Sequence, residues 1–255
     1  MLVRFTSLLA ALAIGFTAQT ELRADRAEEV AAIHLEAIGG RERVAALRAL
    51  RATGEVLAGG KGMRFTMIAA RPNSIRIETD EGGRSLVQAS DGRNPPWQFD
   101  TGEWPPRYRD MPATAARTFA EDAEFDDPIV AGTKRGFIIE YAGETKADDK
   151  NCIRLLVTRN LAETFTLLVD ADTYLILQRI EERKAPLGGT AHVVTVFEDY
   201  RPIEGVLVPH VVTLFIDGRP KQQTRVQATV ANPEITAETF ERPIGITVPK
   251  KKADE

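Results

Sequence analysis

From Ala52 onward the chain is punctuated about every ten residues by turn-forming pairs: Gly59-Gly60, Pro72-Asn73, Gly82-Gly83, Asp91-Gly92 and Thr101-Gly102. Glycine reaches positive φ without steric cost, and Asn and Asp tolerate it, so such pairs favour the tight turns of hairpins. The runs between them are rich in Val, Ile, Thr and Phe, the side chains that suit a pleated, half-buried surface. This punctuation leaves no room for long helices. It predicts an antiparallel meander in which consecutive strands are neighbours.

The pattern resumes at 136–141 and continues as Ile153 to Thr158, Thr164 to Asp170, Tyr174 to Arg183, Ala191 to Tyr200, Val206 to Ile216 and Gln223 to Val230. The connectors Asp170-Ala171-Asp172-Thr173 and Asp217-Gly218-Arg219-Pro220 have hairpin chemistry. About eleven strands are expected, and an open sheet that large twists and curls. The fold class read from this is mainly β (α+β): a large curled antiparallel sheet forming an incomplete β-barrel, whose trough must be covered by something. Tyr174-Leu175-Ile176-Leu177, Val206-Leu207-Val208 and Val211 to Phe215 are apolar on both alternating sets. Something apolar therefore meets each face there, and Leu175, Leu177 and Leu214 are candidates to line a cavity. Periodicity does not separate cavity from core.

Two segments are available as covers. Between Asp25 and Leu50, Val30, Ile33, His34 and Ala37 follow helical spacing, Gly39-Gly40 stops the run, and Val44, Leu47 and Leu50 recur three apart. Two short helices or one broken helix fit. The second segment, between Asp91 and Pro128, carries Trp97, Trp104, Tyr108, Met111 and Phe119, and Thr114 to Ala123 has the composition of a short helix. A loop of that length is read as an aromatic, partly helical lid; a surface excursion pinned by two buried Trp side chains is the alternative.

At the N-terminus, Arg4 precedes an apolar stretch from Phe5 to Ala18 that is too short to span a bilayer of about 30 Å as a helix. Residues 1–24 read as a secretory signal peptide, cut after Thr20 or Ala24; an uncleaved anchor is the alternative. No Cys follows the apolar stretch, so lipid attachment there is not expected. Residues 25–249 then form a single domain, and 250–255, with Lys250-Lys251-Lys252, a charged disordered tail. The expected location is the periplasm.

A net charge of −4 with scattered basic residues argues against a nucleic-acid partner. The only thiol, Cys152, has no disulfide partner in the chain and is expected to be buried. His34, His192 and His210 lack metal-ligand spacing, and no serine-hydrolase, Cys-His or phosphate-loop pattern occurs. The acidic run Glu121 to Asp127 lacks the glycine of a calcium loop. No catalytic constellation emerges, so the chain is read as a non-enzyme without metal or cofactor.

Arg71-Pro72-Asn73, then Leu86-Val87 and Ser90-Asp91-Gly92, then Trp97, resembles in order and spacing the lipoprotein-sorting (LolA-like) family of periplasmic carriers. The stretch from Ala237 to Val248 is similar to the closing segment of the same carriers, and Asp199 to Pro209 looks like a strand-turn-strand signature of the broader superfamily. The resemblance implies an incomplete barrel with a helical lid and an apolar interior. It implies a carrier that takes acyl chains of lipoproteins or other lipids toward the outer membrane, served by membrane-bound donor and acceptor proteins. A regulatory or scaffolding module of the same fold is the other reading. Arg71 matches the family arginine that ties the lid to the barrel through lid backbone, and Trp97 matches a family aromatic. Trp97, Trp104, Phe119, Leu175, Leu177 and Leu214 are the resulting cavity or lid candidates.

Overall fold

The computed structural model describes residues 24, 26–160, 163–184 and 188–243. The expected signal peptide up to residue 23, the lysine tail, and the end of the C-terminal stretch that contributes to the resemblance lie outside the described residues.

The chain begins with helix α1 over 26–37 and α2 (Arg41–Ala46), separated by Gly39 and Gly40, both at positive φ. Six strands follow: β1 (Ala49–Ala58), β2 (Lys61–Ala70), β3 (Ser74–Glu81), β4 (Arg84–Ser90), β5 (Trp97–Asp100) and β6 (Tyr108–Asp110). Two helices intervene, α3 (Ala113–Asp122) and α4 (Pro128–Arg135). Seven more strands complete the sheet: β7 (Ile138–Ala147), β8 (Lys150–Asn160), β9 (Glu163–Asp170), β10 (Ile176–Lys184), β11 (Thr190–Ile203), β12 (Val206–Ile216) and β13 (Arg219–Ala231).

All thirteen strands make one antiparallel sheet in the order β6-β5-β4-β3-β2-β1-β13-β12-β11-β10-β9-β8-β7. Every neighbour is consecutive in sequence except the β1–β13 pair, where Leu50 stands opposite Ala231 and Ala58 opposite Gln222. That seam joins two meanders, β1–β6 and β7–β13. The free edges, β6 and β7, are consecutive in the chain, so the segment between them must travel from one edge of the sheet to the other.

The contacts of α3 measure how strongly the sheet curls. Phe119 packs into the cluster that holds Ile75 of β3, while Asp122 receives a hydrogen bond from Arg183 of β10 at 2.9 Å. β3 and β10 are six positions apart in the sheet order, roughly 29 Å if flat, whereas a ten-residue helix is about 15 Å long. One short helix touches both strands only because the sheet is bent into a trough. The result is an incomplete barrel with α1, α3 and α4 on its covered face.

The main core lies at the β8–β10 end. Val30 of α1 and Ile129 of α4 pack there on Ile153, Leu155, Val157, Phe165, Leu167, Val169 and Ile176. Cys152 is fully buried beside them, and burial pushes its thiol pKa up. A second cluster seats α2 through Val44 and Leu47 on Leu50, Ile203 and Val206.

The sheet exceeds the expected eleven strands because two short strands, β5 and β6, occupy the segment read as a loop. The Trp residues therefore belong to the sheet and its turn, and the cover proper is α3 with α4. Helix α4 went unread because its eight residues include Gly132 and begin at a proline. Its signal is nonetheless local: Asp127 Oδ1 accepts from the Ile129 and Val130 amides at 2.9 and 3.1 Å, Pro128 takes the first turn, and Gly136 ends the helix at φ 72°.

Candidate functional site at the mouth of the trough

Arg71 ends the β2 region and points its guanidinium at the covering segments. Nε donates to the Leu47 carbonyl at 2.8 Å and Nη2 to the Val44 carbonyl at 2.5 Å, satisfying acceptors at the C-terminal end of α2. Nη1 pairs with Asp126 in the α3–α4 connection, and the guanidinium carbon lies 5.0 Å from the centre of the Phe125 ring. The Phe125 amide in turn donates to the Pro72 carbonyl at 3.1 Å. A planar fork with five donors is suited to such a junction, where three segments meet at one half-buried side chain.

A second fastener joins α1 to α4. His34 is buried; its Nδ1 lies 2.7 Å from the Tyr174 carbonyl and its Nε2 3.2 Å from Asp127 Oδ2. A carbonyl and a carboxylate oxygen both accept, so both ring nitrogens must donate, and the geometry calls for the imidazolium. Burial opposes that charge, yet the Asp127 carboxylate and its hydrogen bond outweigh burial and hold the His34 pKa above the ordinary value. For Asp127 too, burial is outweighed: His34 and the Val130 and Ile129 amides keep the carboxyl below its usual range.

Helix α3 is attached far more lightly. Its N-cap is Pro112, with no side-chain cap hydrogen bond, and none of its residues is buried. Phe119 packs into the cluster of Ala69 and Ile75, which the C-cap residue Ala123 joins, and Asp122 and Glu121 form ion pairs with Arg183, Arg179 and Arg159. Beneath it lie Met67, Ala69, Ile75, Ile77 and Phe125, an apolar bed on the β2–β3 half of the trough.

No family model and no curated protein matches the sequence. Among solved structures, an outer membrane lipoprotein-sorting protein domain from Vibrio parahaemolyticus is similar, with a TM-score of 0.53 at 12% identity over 78% of this chain and 93% of that one. The chain has the lipoprotein-sorting, LolA-like fold. A DUF1329 family protein from Desulfovibrio piger ATCC 29098 shares the architecture at a TM-score of 0.57 and 12% identity, covering 84% and 96% of the two chains. The LolA superfamily protein NE2245 from Nitrosomonas europaea matches over 79% and 95% at 12% identity, with a TM-score of 0.49.

Within this LolA-like half-barrel the sequence-selected residues separate. Arg71 and Phe119 come together at the cover, one through Phe125 and Asp126, the other on the same apolar bed as Phe125. Trp97 is buried in β5, donates from Nε1 to the Phe240 carbonyl at 2.9 Å, and packs edge-on against Tyr108 at 5.5 Å between ring centroids. It pins the C-terminal segment to the sheet edge. Trp104 is 70% exposed, and its β5–β6 turn projects it into solvent. Leu175, Leu177 and Leu214 are half-buried, and Leu175 packs on the α2 cluster. The pairings His34–Asp127 and Arg183–Asp122 are not legible in the sequence because the partners lie on different elements.

Two recesses, of about 280 and 340 Å³, open beside the end of α2 and across β1 to β3. Charged residues stand in their walls, Arg43 and Glu204 in one and Arg64, Glu78 and Asp80 in the other, so neither is a bed for a hydrocarbon chain. Among the described residues no cluster of His, Cys, Asp or Glu is placed to hold a metal ion, and no helix is long and apolar enough to cross a membrane.

Proposed function

We propose that this protein is a non-catalytic periplasmic carrier that encloses acyl chains of lipoproteins or other lipids in its half-barrel and passes them toward the outer membrane. The observation that carries the reading is the contrast at the mouth: a strongly held sheet and α1 and α4, bridged by an uncapped α3 that has no buried residue and lies over an apolar bed. Each CH₂ removed from water contributes about 0.8 kcal/mol, so an apolar trough holds a long chain firmly and release is the harder half of the task. A cover fastened by a few hydrogen bonds of about 1 kcal/mol each opens at moderate cost. Arg71 is the gate in this reading, since it ties α2, β2 and the α3–α4 connection together.

Native mass spectrometry of the mature protein, purified without detergent and followed by lipid extraction, tests the reading directly. A co-purified acyl or polyisoprenoid species supports it; an apo mass that does not shift with added lipid or lipopeptide overturns it. Arg71→Leu tests the gate separately, which fails if capture and release of cargo are both unchanged. A second reading, a regulatory or scaffolding module that docks a partner protein, is favoured by one observation: the β8–β10 end of the trough is filled by the protein's own Val30, Leu155, Leu167 and Ile176. The apo result above would support it.

A further inference from the structure

Strand β10 carries a β-bulge between Ile176 and Gln178. Ile176 stands opposite Val169, but beyond the bulge Arg179 stands opposite Leu167 and Glu181 opposite Phe165, all core partners on the covered face. Plain alternation from Ile176 would have set Gln178 and Ile180 there instead. The bulge thus delivers an Arg-Glu-Arg row, Arg179, Glu181 and Arg183, to the inside of the trough, with side chains 12, 9 and 20% exposed. Arg159 of β8 joins it at 11% exposure: its guanidinium carbon and that of Arg179 lie 5.6 and 4.5 Å from the centre of the same Phe165 ring.

Carboxylates from the row itself, from α3 and from β9 answer these charges. Glu181 is part of the row, accepting from Arg179 Nη2 at 3.0 Å and facing Arg183 Nη2 at 2.8 Å. Two more belong to the lightly attached α3: Asp122, 2.9 Å from Arg183 and 3.7 Å from Arg179, and Glu121, 4.0 Å from Arg159. Glu163 of β9 adds negative charge near Glu121 and Arg159, while Glu124 is paired with Arg135. The buried Nε atoms of Arg159, Arg179 and Arg183 have no hydrogen-bond partner, and neither has Glu181 Oε1, which meets Arg183 only as an ion pair. A buried polar atom left unmet is costly, and three unmet donors against one unmet acceptor leave the row short of acceptor oxygens.

We propose that this row binds the oxyanion headgroup, carboxylate or phosphate, of a single-chain amphiphile, whose chain lies along Phe119, Ile77 and Met67, and that Asp122 is the tethered anion holding the place when α3 is closed. The inference rests on the carrier reading and names its ligand. Phe119 and Asp122 are three residues apart on one face of α3, so the helix touches the apolar bed with one and the arginines with the other. An amphiphile has the same two ends. Lifting α3 removes Glu121 and Asp122 from the arginines and leaves a net positive bed that an arriving anion neutralises.

The test is fluorescence titration of the full mature chain with cis-parinaric acid and with its methyl ester, which differ only in the headgroup charge. The acid is expected to bind about tenfold more tightly, the scale of a charge-assisted hydrogen bond. Asp122→Asn is expected to widen the acid-to-ester ratio by removing the tethered competitor, and Arg159→Gln, with Arg159→Lys as the variant that keeps the charge, to narrow it. Displacement of the probe by oleate alone assigns the site to carboxylates; displacement also by lysophosphatidylglycerol shows that phosphate is accepted. Equal binding of acid and ester, unmoved by Asp122→Asn, overturns this proposal and leaves the carrier reading standing. Failure of both probes to bind overturns both.

Discussion

At the scale of single residues, two polar junctions hold the cover, one at Arg71 and one at the His34–Asp127 pair. The His34–Asp127 pair is charged on both sides only within a window of pH. The folded pKa of His34 lies above its ordinary 6.5, so its contribution to stability is full below about 6.5 and is lost as pH rises through the folded value. Asp127 lies below its ordinary 3.8, so its contribution is present above about 3.8 and is lost as pH falls through its folded value. Stability is therefore expected to decline from pH 6 toward alkaline pH. His34→Gln, which breaks a buried pair, should cost roughly 3 kcal/mol at pH 5.5 and flatten that decline. Urea unfolding of both proteins at pH 5.5 and 8.5 measures it; an equal loss at the two values would mean that the imidazolium does not matter. Arg71 itself was legible because the Arg71-Pro72-Asn73 turn is a contiguous motif. His34 was legible only as a helix-face residue, because nothing near it in the chain announces Asp127.

At the scale of elements, differences in attachment translate into differences in local opening. α1 and α4 place Val30 and Ile129 in the main core, while α3 buries nothing and lacks a capping side chain. Amide exchange in α3 is accordingly expected to be fastest among the helices described, and slower in β8 to β10, where Leu155, Val157, Leu167 and Val169 are almost completely enclosed. Ala113 and Ala115 are exposed, so replacing both with Gly weakens α3 without removing a packing contact, by about 1 kcal/mol each at most. Faster exchange confined to α3 and quicker uptake of a lipid probe, with the global unfolding midpoint almost unmoved, is the expected result. A midpoint that falls as much as α3 opens would make the helix part of the global unit. Elements were readable to unequal depth. The expected helix at Thr114 to Ala123 and the found Ala113–Asp122 nearly coincide, since Ala-rich composition is a local signal. The β10 bulge was not readable. One inserted residue exchanges Ile180 for Glu181 on the covered face, and no turn-forming residue marks it.

At the scale of the whole molecule, hairpin chemistry made the sequential strand pairings legible except those of β5 and β6, but not the β1–β13 seam that turns two meanders into one trough. Its partners are far apart in the chain and share no motif, so the pairing is decided by burial rather than by turns. The seam does leave one mark. The β1–β13 register shifts between Thr53 and Gly54, and a Cβ at Gly54 would stand 2.0 Å from the Arg225 carbonyl oxygen and 2.9 Å from the Phe65 ring. The first obstacle is backbone, so a methyl group there can be accommodated only by parting β1 from β13. Gly54→Ala is therefore expected to destabilise the protein by about 2 kcal/mol, within the range of overpacked sites. The same variant reports whether the two meanders unfold together. Both Trp residues lie in the first meander, whereas far-UV circular dichroism reads all thirteen strands. If the seam couples the halves into one cooperative unit, the two signals should shift together in urea, to a lower midpoint with an unchanged slope. A Trp transition that separates from the circular dichroism transition would instead make each meander its own folding unit, and the trough an assembly of two sheets hinged at Gly54.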